Sequence, residues 1–280
     1  MSRPEHRGPP ELFYNETEAR KYSENSRMMD IQIQMSERAL ELLALPDHPC
    51  YILDLGCGSG LSGHVLEENG HMWVGIDISP DMLKVAADLE VAGNVILGDL
   101  GHGVPFRAGS FDAVISVSAL QWLCNADKKS HNPVKRLYKF FSTLYACLSR
   151  TARAVFQFYP ENNEQVELIT AQAMKAGFFG GVVVDFPNST KAKKFFLVLM
   201  TGETISALPS GLGTEEKTVQ NRIQFSKKGS GGRDPLRRTK GKLAKKSKAW
   251  IRQKKERWGR QGKETRPDSK YTGRHRSGRF

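Results

Sequence analysis

Apolar and polar positions change period along the chain, and each change predicts an element. Leu53-Asp54-Leu55 ends a hydrophobic strand that runs into the glycine-rich turn Gly56–Gly60, and Leu61 to Asn69 reads as a helix leaving that turn. Trp73 to Ile78 is a second strand with Asp77 near its tip, and Val95 to Leu100 is a third strand and its exit. The apolar run Ala113 to Val117 reads as a central strand buried on both faces. Pro133 to Leu148 carries Leu137, Phe140, Phe141 and Leu144 at helical spacing, followed by a fifth strand from Ala152 to Tyr159. Gln165 to Ala176 reads as a helix stopped by Gly177. Gly181–Phe186 and Phe195–Thr201 close the pattern as an antiparallel pair joined by the polar stretch Pro187–Lys194. Strands and helices alternating in this order predict an α/β fold: a doubly wound, Rossmann-like sheet of about seven strands. Ahead of it, Pro10 to Leu43 is mostly helical. Met28, Ile31, Met35, Ala39 and Leu42 share one face, which predicts a helical lid packed on the sheet.

The glycine turn narrows the ligand. Gly56, Gly58 and Gly60 at alternate positions let the backbone turn sharply and leave one face of the loop bare. A dinucleotide fingerprint is G-x-G-x-x-G, and here Leu61 stands where its third glycine belongs. No Lys-Ser or Lys-Thr pair follows, so the turn is not a P-loop either. The pattern suits a nucleoside-like ligand without a diphosphate and resembles motif I of the class I S-adenosylmethionine-dependent methyltransferases. Asp77 lies 21 residues after Gly56, where a carboxylate accepts both ribose hydroxyls. Its alternative role is to cap the helix opened by Ser79-Pro80. Asp99 stands where this class places an acid for the adenine amino group, or it is a turn acid. The cofactor-binding candidates are Gly56, Cys57, Gly58, Gly60, Asp77, Ile78, Asp99, Leu100 and Ser116. The switch point of such a sheet brings Ser116 to Trp122 beside the transferred methyl group. Trp122 either stacks on a planar substrate or fills the core under the following loop.

Composition adds compartment and partner. The four cysteines (Cys50, Cys57, Cys124, Cys147) show no C-x-x-C spacing, so neither a disulfide framework nor a metal site is expected and a reducing compartment is favoured. No apolar stretch reaches membrane-spanning length, and the polar, proline-rich start is not a signal peptide. Charge is uneven. Residues 221–280 hold 22 Lys and Arg against 4 Asp and Glu, a net +18, whereas residues 1–220 carry −6 of the chain's total of +12. The resulting organisation is a lid at 1–45, a methyltransferase domain at 46–201, a linker at 202–220 and a basic tail at 221–280. Lys245-Lys246-Ser247-Lys248 and Lys254-Lys255 fit a nuclear signal, while the charge density, with Trp250, Trp258 and Tyr271 interleaved, fits RNA contact by a segment that folds on binding. Lys242 to Arg260 has helical propensity.

Several longer segments are more specific. Arg3-Pro4-Glu5-His6, Pro9-Pro10-Glu11-Leu12-Phe13-Tyr14, Gln121-Trp122-Leu123-Cys124-Asn125-Ala126, Tyr159-Pro160-Glu161-Asn162 and Tyr271-Thr272-Gly273-Arg274 resemble the eukaryotic 18S ribosomal RNA (guanine-N7)-methyltransferases, a family also known from the Williams-Beuren syndrome chromosome region. Leu212 to Ser230 departs from that pattern. The resemblance implies S-adenosylmethionine as cofactor, 18S rRNA in the pre-40S particle as substrate, and a role in ribosome biogenesis. It also implies nuclear, nucleolar and nucleoplasmic residence, with the cytoplasm left open. It further implies a small zinc-binding activator subunit that adds to a sheet edge, here the third strand near Val91 to Leu97.

The residues agree with N7 chemistry. No Asn-Pro-Pro-Tyr or Asp-Pro-Pro-Tyr follows the fourth strand, and no Lys-Asp-Lys-Glu set is evident. Guanine N7 carries an in-plane lone pair and no proton, so in-line transfer needs positioning and dryness rather than a general base. The base-pocket candidates are Gln121, Trp122, Tyr159 and Pro160, with the guanine flipped out of its stack. Two other readings stand beside this one: a small-molecule carboxyl methyltransferase, which the +18 tail disfavours, and an assembly scaffold whose catalysis is dispensable.

Overall fold

A computed structural model describes residues 3–189, 191–202, 208–213, 248–260 and 265–268. Three helices lead: α1 (Pro10–Phe13), α2 (Glu16–Glu24) and α3 (Ser26–Leu43). The sheet then alternates as β1 (Tyr51–Leu55), α4 (Leu61–Glu68), β2 (Met72–Asp77), α5 (Pro80–Asp88), β3 (Asn94–Leu97) and β4 (Phe111–Val117). It continues with α6 (Pro133–Cys147), β5 (Leu148–Phe158), α7 (Asn163–Lys175), β6 (Phe179–Asp185) and β7 (Lys194–Met200). Side-chain oxygens of Asn15, Asn25, Ser79, Asn132 and Asn162 accept the free N–H groups that open five of these helices.

The strands lie in the order β3-β2-β1-β4-β5-β7-β6, with β7 antiparallel to both its neighbours. The order reverses between β1 and β4, which are parallel, so the loops leaving their C-terminal ends diverge and open a crevice there. Alternate residues fill two cores. Ile52, Ala113, Ile115, Val155 and Val198 face α3, while Leu53, Val114, Phe156 and Leu199 face α6 and α7. Burial on both faces explains the continuous apolar runs. β5 follows α6 without a turn and is longer than the predicted Ala152–Tyr159, and β6 begins two residues before the predicted Gly181. Met35, Ala39 and Leu42 bury against the sheet, whereas Met28 and Ile31, on the first turns of α3, stand 37% exposed. α3 is thus a layer of the core, and only its first turns and α1–α2 reach over the crevice.

Among the described residues no strand pairs with the outer edge of β3, and Leu97 is 59% exposed. The opposite edge is covered. Leu212 carbonyl oxygen accepts from Phe186 N, Leu212 N donates to Asp185 Oδ1 at 2.7 Å, and Arg38 Nη2 donates to Ser210 O at 3.2 Å. The described part of the predicted linker, residues 208–213, therefore runs along β6.

Residues 219–280 form a second compact unit, within which α8 (Lys248–Arg260) is described. Lys254 Nζ lies 5.3 Å from the Trp250 ring and 4.8 Å from the Trp258 ring, a cation–π ladder at i, i+4 and i+8. Asp268 accepts from Arg252 and Lys255. Tyr271 and Lys245-Lys246 lie outside the described residues. No described helix is long and apolar enough to cross a membrane.

Candidate active site

The glycine turn closes its own hydrogen bonds. Gly56 N and Cys57 N both donate to Ile76 O at 2.8 and 3.2 Å, Gly58 N to Asp77 Oδ2 at 2.8 Å, and Gly60 N to Cys57 O at 2.9 Å. Gly56, Gly58 and Gly60 have φ of +76°, +53° and +87°, the left-handed region that favours glycine. With these four N–H groups spent inside the protein, this part of the loop offers no nest for a diphosphate. What it offers instead is negative charge. Asp77, at the tip of β2, is held from both sides, since its Oδ1 accepts Ser79 N at 2.8 Å. The carboxylate keeps acceptor capacity beyond these backbone bonds. Burial raises its pKa against the opposing pull of those backbone bonds. The alternative reading of Asp77 is met in part: it fixes the turn before α5, while Ser79 caps that helix.

The crevice is a cavity of about 1040 Å³ counted out to its mouth. Of the predicted residues, Gly56, Cys57, Gly58, Asp77, Ile78, Asp99, Leu100 and Trp122 line it. Asp99 arrives already paired: Arg136 Nη2 donates to both its oxygens at 2.7 and 2.9 Å, and Gly101 N to Oδ1 at 2.8 Å. Five of the predicted residues do not line the cavity. Ser116 is buried and its hydroxyl donates to Leu55 O at 2.7 Å, so it ties β4 to β1 beneath the cavity. Gly60 caps α4, and a Cβ there would meet Val91 and Trp73; its bareness serves packing. Gln121 is buried under the wall, with Nε2 donating to Ser118 O at 2.8 Å. Tyr159 and Pro160 lie outside the cavity lining, and their carbonyls accept from Arg3 Nη1 and Nη2 at 3.0 and 2.8 Å. The Tyr159 hydroxyl is engaged as well, accepting from Lys194 Nζ at 3.0 Å.

Other lining residues carry little sequence signal. Ser118, the first residue beyond β4, takes φ +60° and enters the wall where Ser116 was expected. Tyr14 and Tyr22 form the roof with their rings 6.0 Å apart, and Trp122 lies 5.9 Å from Tyr14. Burial pushes both phenols well above their usual pKa, Tyr14 with help from the Asp77 charge. Gln32, on α3, also lines the cavity.

Buried polar atoms without a partner among the described residues include the Ser59 hydroxyl in the cavity wall and Asp54 Oδ1 beneath the loop. Asp54 is fully buried, and its other oxygen accepts from Ser62 Oγ at 2.5 Å. Burial lifts its pKa to about 7, with the Asp77 charge adding to the rise. The folded chain therefore binds this proton more tightly than the unfolded chain. The associated stability is complete below the unfolded-state pKa near ~4 and is lost as pH rises through about 7. The melting temperature of the ligand-free chain is expected to fall from about pH 5 to pH 8, and Asp54→Asn should flatten that fall. Thermal melts across this range check it, and an unchanged slope in the variant would count against it.

Asp77 lines the cavity without a cation paired to it among the described residues, which suits a cationic ligand better than an anionic dinucleotide. S-adenosylmethionine, a nucleoside bearing a sulfonium and an ammonium, fits this donor set.

Comparison with known proteins agrees with this geometry. The profile described as "Methyltransferase domain" matches residues 53–156, and that described as "Methyltransferase involved in Williams-Beuren syndrome" matches residues 199–278. A mouse protein named 18S rRNA (guanine-N(7))-methyltransferase is 60% identical over 280 residues, 99% of this chain and 98% of its own. A Saccharomyces cerevisiae protein named 18S rRNA (guanine(1575)-N(7))-methyltransferase is 48% identical over 288 residues, covering 100% of both chains. Among solved structures, a phosphoethanolamine N-methyltransferase of Haemonchus contortus, in complex with S-adenosylhomocysteine, superposes with a TM-score of 0.51 at 17% identity. That match covers 68% of this chain and 58% of the other and establishes likeness of fold alone.

Proposed function

From the premise that this chain belongs to the family of 18S rRNA (guanine-N7)-methyltransferases, we propose how its own residues hold the cofactor, receive the RNA and meet a partner subunit. It is an S-adenosylmethionine-dependent rRNA methyltransferase. When bound, the cofactor supplies an electrophilic methyl group on a cationic sulfur. Asp77 accepts the ribose hydroxyls through the lone pairs left free by Gly58 and Ser79, and Asp99 accepts the adenine amino group while Arg136 holds it in place. Ile78 and Leu100 clasp the adenine ring, and the bare faces of Gly56 and Gly58 admit the ligand. The observation that carries this reading is the buried Asp77 carboxylate in the cavity wall, paired with no cation among the described residues, beside a loop whose glycine and Cys57 N–H groups are spent.

Guanine N7 needs no base, so the remaining work is orientation and exclusion of water. Tyr14, Tyr22 and Trp122 close the roof for that purpose. The basic tail supplies phosphate contacts, and the Trp250–Lys254–Trp258 ladder on α8 offers stacking faces. The same tail directs the chain to the nucleus, nucleolus and nucleoplasm. Mapping 7-methylguanine in 18S rRNA from cells with and without the protein tests the reading; an unchanged 7-methylguanine signal in its absence would refute it.

The partner reading rests on β3. Ile96 and Leu97 stand 37% and 59% exposed on an unpaired edge, flanked by Leu89 at 59% and Met72 at 61%. A bare apolar edge is an invitation to strand addition, and β6 offers none because residues 208–213 cover it. A small zinc-binding activator subunit adds its strand to β3. Co-expression with such a subunit is expected to raise the soluble yield and cofactor affinity of this chain. Equal yield and affinity for the chain alone would argue against it.

A further inference from the structure

The first residues of the chain cross the mouth of the site as a strap. Arg3 clamps the carbonyls of Tyr159 and Pro160 at the end of β5. Glu11 pairs with Lys128 Nζ at 3.2 Å, in the loop before α6, and Ser79 Oγ donates to Tyr14 O at 2.8 Å beyond the end of β2. Residues 3–14 are thus tied, in turn, to segments that follow β5, β4 and β2, and the tie points run across the carboxyl edge of the sheet.

Within the strap, Glu5 is anomalous. It sits in the single 3-10 turn Pro4–His6, and its Oε2 is buried with no hydrogen-bond partner among the described residues. Glu5 itself is outside the cavity lining, but Pro10, Glu11 and Tyr14 of the same strap are in it, and the Glu5 charge reaches the phenol of Tyr14. A buried carboxylate oxygen without a partner is costly and calls for a donor supplied from elsewhere. The cofactor's ribose hydroxyls and adenine amino group have acceptors already, in Asp77 and Asp99. The other molecule entering here is the base. Guanine presents two adjacent donors, N1–H and N2–H, on the edge opposite its N7 side, a spacing that matches one carboxylate.

We propose that Glu5 is a specificity-determining residue whose carboxylate accepts N1–H and N2–H of the guanine presented for methylation, with Arg3 as the residue that positions it. This rests on the guanine-N7 reading above. The fit has a kinetic consequence. Methylation at N7 makes the purine cationic and its N1–H a stronger donor, so the Glu5 contact tightens as charge develops and contributes to rate as well as to choice of base.

The test compares synthetic RNAs of the target region carrying guanine or inosine at the modified position. Inosine keeps N7 and N1–H and lacks the N2 amino group. The full-length chain, in complex with its activator subunit as in every arm of this test, is expected to prefer guanine over inosine by about tenfold or more in kcat/KM. Glu5→Gln is expected to lower transfer to guanine by about 10- to 100-fold and bring the two substrates to near equality. Its Kd for S-adenosylmethionine and its Tm should stay close to those of the parent chain, because the change is isosteric and leaves the ties of the strap in place. Equal transfer by the parent chain to both bases, a preference for guanine preserved in Glu5→Gln, or loss of cofactor affinity or folding in that variant each overturns the role of Glu5. Transfer by the parent chain to neither RNA overturns the guanine reading itself, and Glu5 with it.

Discussion

Asp77→Ala is expected to raise the Kd for S-adenosylmethionine by at least about 100-fold while leaving the sheet folded. Two losses combine. The carboxylate's remaining lone pairs no longer accept the ribose hydroxyls, and hydrogen bonds to a charged acceptor are worth about 1.5–3 kcal/mol. Gly58 N and Ser79 N also lose their acceptor at the same moment, so the glycine turn and the entry to α5 lose the group that fixes their spacing. Folding should survive because burial raises the pKa of Asp77, meaning that its charge is a strain on the ligand-free protein. Calorimetric titration of the variant beside the parent chain measures it, and a Kd within about threefold of the parent would contradict the assignment. The same variant separates catalysis from scaffolding. If pre-rRNA processing persists in cells while 7-methylguanine disappears, presence of the protein matters more than its chemistry.

A large loss of stability is expected from Gly56→Ala. Gly56 has φ +76°, and a Cβ there would lie 2.3 Å from the Cβ of Ala119. Left-handed strain costs about 1–2 kcal/mol and overpacking about 1–3 kcal/mol, so the sum reaches a large part of a typical 5–15 kcal/mol. Gly109→Ala provides the comparison, since Gly109 has φ +68° and open space around it, and should show the strain alone. Adding Ala119→Gly to Gly56→Ala should recover the packing part of the loss and leave the strain. Denaturant unfolding of the three variants checks the ordering. Gly56→Ala no less stable than Gly109→Ala would mean that the turn yields more readily than its contacts imply.

The sequence carried the strands and the turn because both depend on local pattern. Runs such as Ala113 to Val117 are buried on both faces, and the glycines and Asp77 fall at fixed offsets within one strand–turn–helix–strand unit. Errors arose where a strand boundary or a distant segment decides. β4 ends at Val117, and its pleat sends the Ser116 hydroxyl to Leu55 O; the next outward residue is Ser118. Gly60 repeats the pattern of its two neighbours yet answers to Val91 and Trp73 on other elements. Tyr159 and Pro160 are claimed by Arg3, 156 and 157 residues away. Arg136, which grips Asp99 from 37 residues on, looks in sequence like one more charge on an amphipathic helix. No periodicity announces such contacts; they exist only once the sheet has set which loops meet at its carboxyl edge.

The most direct test is to identify the product. The chain, with its activator subunit, is incubated with methyl-labelled S-adenosylmethionine and small-subunit RNA lacking the modification, and the RNA is digested to nucleosides. The label is predicted in 7-methylguanosine and absent with Asp77→Ala. Label in another nucleoside, or none in RNA while the cofactor is bound, would contradict a guanine-N7 transferase built on this cavity.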